Sequence, residues 1–242
     1  MSSGGDNIQA LENAQAIDCM ERIGHRGAKR EHPENTIAAF KTAFARRADA
    51  IELDVHGTRD GTLVVHHDPT LGSDHGDASG RAIAELDWPT VAKSSTTAAT
   101  RIPTLSDVFG IVPAAATVYV EIKGRGIESL VRESVTGAKA RCAVHSFDHD
   151  AIRLMRQLAP AIPRGILYDH RPADVEADIK STGARDVWPN WKLIDQALVD
   201  RVHTAGARVL AWTVNDPGAA KALITLGVDG LCTDDVRLLD GL

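Results

Sequence analysis

Two pairs of charged residues in this 242-residue chain have the spacing of a site rather than of a surface. In Ile51-Glu52-Leu53-Asp54-Val55 the carboxylates are two positions apart. Residues two apart on a strand project to the same face. Glu52 and Asp54 therefore share one side, and Leu53 takes the other. Two neighbouring carboxylates repel each other and are costly to bury. A cation between them removes that cost, and an all-oxygen ligand set favours a hard ion, Mg2+ or Ca2+. The spacing recurs in Tyr119-Val120-Glu121-Ile122-Lys123. There Glu121 can supply a third carboxylate, and Lys123 can meet an anionic phosphate oxygen. Either pair alone reads equally well as a strand-end salt bridge. Two such pairs at the ends of inward-facing barrel strands point to a site, because barrel active sites sit at that face.

The histidines extend this chemistry. There are ten. His25 and Arg26 end the first apolar run, before Gly27, and His67 and Asp68 end a short apolar run at 63–66. Cutting a P–O bond needs a base for the attacking oxygen and an acid for the departing one. Two histidines on opposite sides of a bound phosphate can do both near neutral pH. Arg26 can hold phosphate oxygens in bidentate fashion. A lone histidine is usually structural, so His32, His56, His75, His149, His170 and His203 are assigned to the surface or the framework. His66, adjacent to His67, should face the other way.

The elements that must position these groups follow a βαβ rhythm from residue 22 onward. Strands are predicted at 22–24, 50–55, 117–122, 142–147, 164–168, 186–189, 208–214 and 228–231. Pro33-Glu34-Asn35 opens a helix with Ile37, Phe40 and Phe44 on one face. Further helices are predicted at about 127–140, 148–158, 195–205 and 217–226. Eight strands with helices between them suit a closed (β/α)8 barrel, an α/β fold that takes ~250 residues. No GxGxxG follows the first strand, which counts against a dinucleotide site. The run 63–66 follows Val55 too closely for a helical crossover, and Asp60-Gly61 signals a turn. It should pair antiparallel with the second strand and carry His67 across the barrel mouth. Residues 69–103, rich in Gly, Ser, Thr and Ala, break the rhythm and read as an insertion over the active-site end, with one short helical piece near 81–86.

Composition is consistent with one globular domain: 43% hydrophobic and 25% charged residues. A polar lead-in is assigned to 1–21 and the barrel domain to 22–242. The lead-in lacks an apolar core segment, so neither a signal peptide nor a transmembrane anchor is expected, and the cytoplasm is the default location. A net charge of −6 without a basic stripe argues against a nucleic-acid partner. Cys19, Cys142 and Cys232 share no metal-type spacing and read as buried thiols in a reducing compartment.

At this point the chain resembles the glycerophosphodiester phosphodiesterases. The resemblance is carried by Ile23-Gly24-His25-Arg26-Gly27, Pro33-Glu34-Asn35-Thr36, Ile51-Glu52-Leu53-Asp54-Val55, Thr58-Arg59-Asp60-Gly61, Val64-Val65-His66-His67-Asp68 and Glu121-Ile122-Lys123, in that order. Ile102-Pro103-Thr104-Leu105, His145-Ser146-Phe147, Ala211-Trp212-Thr213-Val214-Asn215 and Gly227-Val228-Asp229-Gly230 agree as well. The resemblance implies a barrel with a small insertion after the His-Asp motif. It implies His25 and His67 as the acid–base pair, and Glu52, Asp54 and Glu121 as ligands of a divalent ion. Arg26 and Lys123 would hold the phosphate, Trp212 would lie near the substrate, and Asn35 would sit by the catalytic end. Members commonly carry Arg-Thr-Thr soon after the His-Asp motif, whereas Leu71-Gly72-Ser73-Asp74-His75-Gly76 stands here, in the insertion that shapes the alcohol side of the pocket. The expected partner is a small phosphodiester, cleaved to glycerol 3-phosphate and an alcohol. A lysophospholipase D or a lyase releasing a cyclic phosphate could use the same core, and a non-catalytic barrel binding phosphate esters is the remote alternative. Trp188 and Trp191 are read as packing residues.

Overall fold

The computed structural model describes residues 20–94 and 101–240. Nine strands form one sheet: β1 (Glu21–His25), β2 (Ala50–Gly57), β3 (Leu63–Val65), β4 (Thr117–Ile122), β5 (Arg141–Ser146), β6 (Arg164–Tyr168), β7 (Asp186–Pro189), β8 (Arg208–Ala211) and β9 (Gly230–Thr233). Their order is β1-β9-β8-β7-β6-β5-β4-β2-β3, and β1 also pairs with β2. Every pairing is parallel except β2 with β3. Setting β3 aside, the remaining strands close the expected (β/α)8 barrel. The hairpin also forms, with Val55 opposite Val65 and Gly57 opposite Leu63.

Helices α1 (Ile37–Ala45), α2 (Trp88–Ser94), α3 (Leu105–Phe109), α4 (Glu128–Gly137), α5 (His149–Leu158), α6 (Val175–Thr182), α7 (Gln196–Thr204) and α8 (Pro217–Thr225) fill the connections. Short polar residues start them. The Thr36 hydroxyl accepts the Ala39 N–H, and Asp148, Asp174, Asp195 and Asp216 each accept an N–H of the turn that follows. On α1, Phe40 is fully buried while Ile37 and Phe44 pack half-buried against the same cluster, the face expected from their spacing.

The strand parity sorts the core. Inward-facing Ile23, Ala50, Tyr119, Ala143, Leu167, Trp188, Leu210 and Cys232 fill the barrel interior. Outward-facing residues such as Leu53, Val120, Ile166 and Val209 pack under the helices. The floor of the barrel is polar and closed. The Tyr119 hydroxyl donates to Glu21 at 2.7 Å and accepts from Arg208 at 2.8 Å, and fully buried Asp186 takes both Arg185 and Arg208. A buried charge paired in this way avoids the desolvation cost of an isolated one.

Several element ends differ from expectation by one to three residues. The eighth strand stops at Ala211 rather than running to 214, since Trp212 only bridges to Asn190. The last strand begins at Gly230, not 228, because the Asp229 side chain turns to accept the Val209 N–H at 2.7 Å. Phe147, predicted in the fifth strand, lies just past its end. Helices α2, α3 and α6 were not predicted. In the insertion, two short helical turns joined by a kink at His75-Gly76 (Ser73–Ala78) and one further turn (Ile83–Glu85) precede α2. Leu71, Ala78, Ile83, Leu86, Val91 and Ile102 form its own small core against Val64. Cys142 and Cys232 are buried free thiols. Most of the lead-in, Cys19 and residues 95–100 lie outside the described residues. Among the described residues no helix is long and apolar enough to cross a membrane.

Candidate active site

Barrel register brings the chemistry together. His25 lies beside Glu52 on neighbouring strands, Asp54 beside Glu121, and Glu121 beside His145. In-register parallel neighbours of inward parity converge on one mouth. A cavity of about 220 Å3 opens there. Its polar wall carries His25, Arg26, Glu52, His67, Glu121, Lys123 and His145, and its apolar wall Phe147, Leu167, Trp188, Trp212 and Cys232.

His25 is held from behind. Its Nδ1 is 2.6 Å from Asp234 Oδ1. The other Asp234 oxygen accepts Asn215 Nδ2 at 2.7 Å, and the Asp234 N–H donates to Asn215 Oδ1 at 3.0 Å. Burial alone would push the Asp234 carboxyl up, but the hydrogen bond and charge of His25 and the Asn215 amide outweigh it and bring it down to about 2. An ionised Asp234 keeps the ring proton on Nδ1 and leaves Nε2 for chemistry. His67 is held similarly, its Nδ1 2.7 Å from Asp68 Oδ1. Its backbone carbonyl accepts His56 Nε2–H at 3.0 Å, which gives the framework histidine His56 a role in fixing the loop. His66 does not line this cavity, and its ring lies edge-on to His75 at 5.7 Å.

The carboxylates occupy unlike surroundings. Burial and the Asp54 charge push Glu52 up to about 7, and the same two causes push Glu121 up to about 7. Burial also opposes ionisation of Asp54, but Arg26, Lys123 and the Asn35 amide prevail and hold it below the usual carboxylate range. The contacts match: Asp54 meets Arg26 Nε at 3.1 Å, Asn35 Nδ2 at 2.8 Å and Lys123 Nζ at 3.5 Å. Lys123 Nζ also lies 2.8 Å from Glu121 Oε1. Glu52, Glu121 and His145 each present one donor atom within 4.8 Å of the others. Opposite ligands of an ion bound at ~2.1 Å are ~4.2 Å apart, so one ion fits this group. Asp54 stands next to that group, tied to the two cations. Two buried acids that resist ionising together are what a bound cation would relieve.

The loop after β1 is strained to build this arrangement. Arg26 and Asn35 both have positive φ, 54° and 57°, and the Asn35 N–H donates to the Arg26 carbonyl at 3.0 Å. Such conformations persist where the surroundings over-determine them, commonly at active sites. Gly27 (φ 86°) lies so close to α1 that a Cβ would stand 2.7 Å from the Ala39 carbonyl carbon. The Arg26 N–H then donates to Glu52 Oε2 at 3.2 Å, and its guanidinium reaches Glu34 at 2.8 Å. Asn35 reaches Asp54, not the main cavity. It lines a neighbouring cavity of about 230 Å3 that also touches His67 and takes Gly72 and His75 from the insertion.

Trp212 faces the main cavity with its Nε1 donating to the Trp188 carbonyl at 2.9 Å, edge-on to Phe147 at 5.4 Å. Trp188 is buried inside the barrel, and Trp191 lies outside the cavity under Lys192. Asp234, Asn215, His145, Phe147 and Glu34 are site residues that spacing alone did not single out. Inward parity of the fifth strand was the available signal for His145.

Histidines and a cation-fitting acid group at the C-terminal mouth of a parallel barrel make this a barrel enzyme for anionic esters. The model of the glycerophosphoryl diester phosphodiesterase family matches residues 25–238, and the chain belongs to that family. It is 34% identical over 234 residues to a glycerophosphodiester phosphodiesterase of Caldanaerobacter subterraneus, covering 91% of this chain and 96% of that one. A Bacillus altitudinis glycerophosphodiester phosphodiesterase is 33% identical, with 88% and 93% covered. In fold, the chain matches an Oleispira antarctica phosphodiesterase, solved in complex with the product sn-glycerol-3-phosphate, at TM-score 0.82 and 22% identity, with 93% and 97% covered.

Proposed function

We propose that this enzyme hydrolyses glycerophosphodiesters to glycerol 3-phosphate and an alcohol, with His25 and His67 as the acid–base pair. The observation that carries the reading is one cavity faced by both histidines, Glu52, Glu121 and Lys123. Asp234 and Asp68 each anchor one imidazole by Nδ1, so each ring has its other nitrogen available. One takes the proton of the attacking oxygen while the other protonates the departing alcohol. Arg26 and Lys123 bind the phosphate oxygens, exchanging their contacts to Asp54 for contacts to substrate. Glu52, Asp54 and Glu121 would hold a divalent cation, and with oxygen donors alone that set would suit Mg2+ or Ca2+. When bound, the cation neutralises phosphate charge that grows in the transition state. Asn35 orients Asp54, and Trp212 with Phe147 walls the carbon skeleton of the substrate. The alcohol lies toward His67, where the insertion contributes to the second cavity.

The test is a product assay on glycerophosphocholine, glycerophosphoethanolamine, glycerophosphoglycerol and lysophospholipids. Release of glycerol 3-phosphate supports the reading. A cyclic phosphate as final product, or cleavage of lysophospholipids alone, would replace it with the lyase or the lysophospholipase D.

A further inference from the structure

Several other histidines among the described residues find partners: buried His56, half-buried His149 and exposed His203. His56 Nε2 bonds the His67 carbonyl at 3.0 Å, His149 Nε2 bonds the Leu167 carbonyl at 3.2 Å, and His203 Nε2 meets Asp229 at 2.9 Å. His145 does not. It is 1% exposed, and neither ring nitrogen has a hydrogen-bond partner among the described residues. Buried polar atoms are nearly always paired, so an unpaired one needs an explanation.

Its position supplies one. His145 faces inward on β5, in register with Glu121, and its Nε2 lies 3.7 Å from Glu52 Oε1. That is too long for a hydrogen bond but close enough for both atoms to share a third partner. The ring is also fixed in place. It packs on Trp188 with centroids 4.5 Å apart and on Tyr119 at 6.2 Å. Across from it, Gly165 leaves no spare room, since a Cβ there would stand 2.7 Å from Trp188 Nε1 and 3.1 Å from His145 Cβ. The imidazole is thus held with an unpaired nitrogen beside two buried carboxylates.

We propose that His145 is a nitrogen ligand of the active-site cation, and that the site consequently prefers a first-row transition ion such as Mn2+ or Co2+ over Mg2+ or Ca2+. The inference rests on the cation site of the proposed function and changes the ion expected there. Carboxylates alone suit hard ions, whereas an imidazole among them adds affinity for transition ions and little for Mg2+ or Ca2+.

The experiment measures binding of Mn2+, Co2+, Mg2+ and Ca2+ to the full-length chelator-treated protein by calorimetry, for wild type and His145→Gln. Pulsed EPR of the Mn2+-loaded protein reads directly bonded nitrogen. The expected result is 14N modulation in wild type that disappears in His145→Gln, together with an at least tenfold loss of Co2+ affinity and less than a threefold change for Mg2+. His145→Ala should behave alike. Wild-type binding without nitrogen modulation, or modulation and affinity ratios that survive His145→Gln, would overturn the inference and leave the carboxylate site standing. No binding of any ion by the wild type would overturn both.

Discussion

His25 Nδ1 and Asp234 Oδ1 stand 2.6 Å apart although 209 positions separate them in the chain. Closure of the barrel makes the contact: β9, which ends just before Asp234, pairs with β1, which ends at His25. In the proposed chemistry Asp234 accordingly acts as a positioning residue. Asp234→Asn keeps the shape but can donate a proton to Nδ1, which reverses the tautomer. We expect kcat to fall by ~10²–10⁴-fold with KM little changed. Asn215→Ala should give a smaller loss in the same parameter. Equal kcat for Asp234→Asn and wild type in steady-state kinetics would remove Asp234 from the account.

The two imidazoles should be separately indispensable. His25→Ala and His67→Ala are each expected to lower kcat by ~10²–10⁴-fold, the usual contribution of a general acid or base. Both side chains face the cavity rather than the core, so the melting temperature should shift little. A variant that turns over at nearly the wild-type rate would show that its ring carries no proton in the reaction.

Glu52 and Glu121 make stability depend on pH in a way the cation should suppress. Both are raised to about 7 by burial and the neighbouring Asp54 charge. An unfolded glutamate titrates near ~4.3. The folded form therefore binds more protons across that window, and their contribution to stability is full below ~4.3 and lost as pH rises through about 7. The gap in melting temperature between cation-loaded and chelated protein should accordingly widen from ~pH 5 to ~pH 8. A gap that stays constant or narrows over this range contradicts the placement of these carboxylates at the ion.

Gly27 tests the strained loop. An alanine there would need a left-handed backbone at φ 86° and would collide with the Ala39 backbone of α1. Gly27→Ala should destabilise the fold by ~1–3 kcal/mol and also lower activity, since the same loop aims Arg26. Denaturant unfolding indistinguishable from wild type would show that the loop tolerates a side chain.

Much of this site could be read from spacing because strand parity is a local rule. Glu52 with Asp54, and Glu121 in the strand 117–122, needed only the period of two to be placed on the inner face. The hairpin that carries His67 followed from a gap too short for a crossover. What spacing could not supply was closure. The Asp234–His25 contact exists only because the last strand returns to the first. The tie of Asp54 to Arg26 and Lys123, rather than to the nearest donor group, depends on side-chain packing across the mouth. Helix α6 escaped notice because it is short and its buried stripe, Val175, Ile179 and Thr182, holds only two apolar residues, while Glu176 and Lys180 are exposed outside that stripe. His145 sits within a strand whose apolar run gave no reason to separate a ligand from a packing residue.

The central claim is a single ion and a single phosphate sharing one mouth. A crystal structure of the protein with Mn2+ and glycerol 3-phosphate, with anomalous scattering to locate the ion, tests it most directly. The anomalous peak is expected among the side chains of Glu52, Glu121 and the neighbouring Asp54, with the phosphate between His25 and His67 and in contact with Lys123. An ion bound elsewhere, or a phosphate out of reach of both imidazoles, would contradict it.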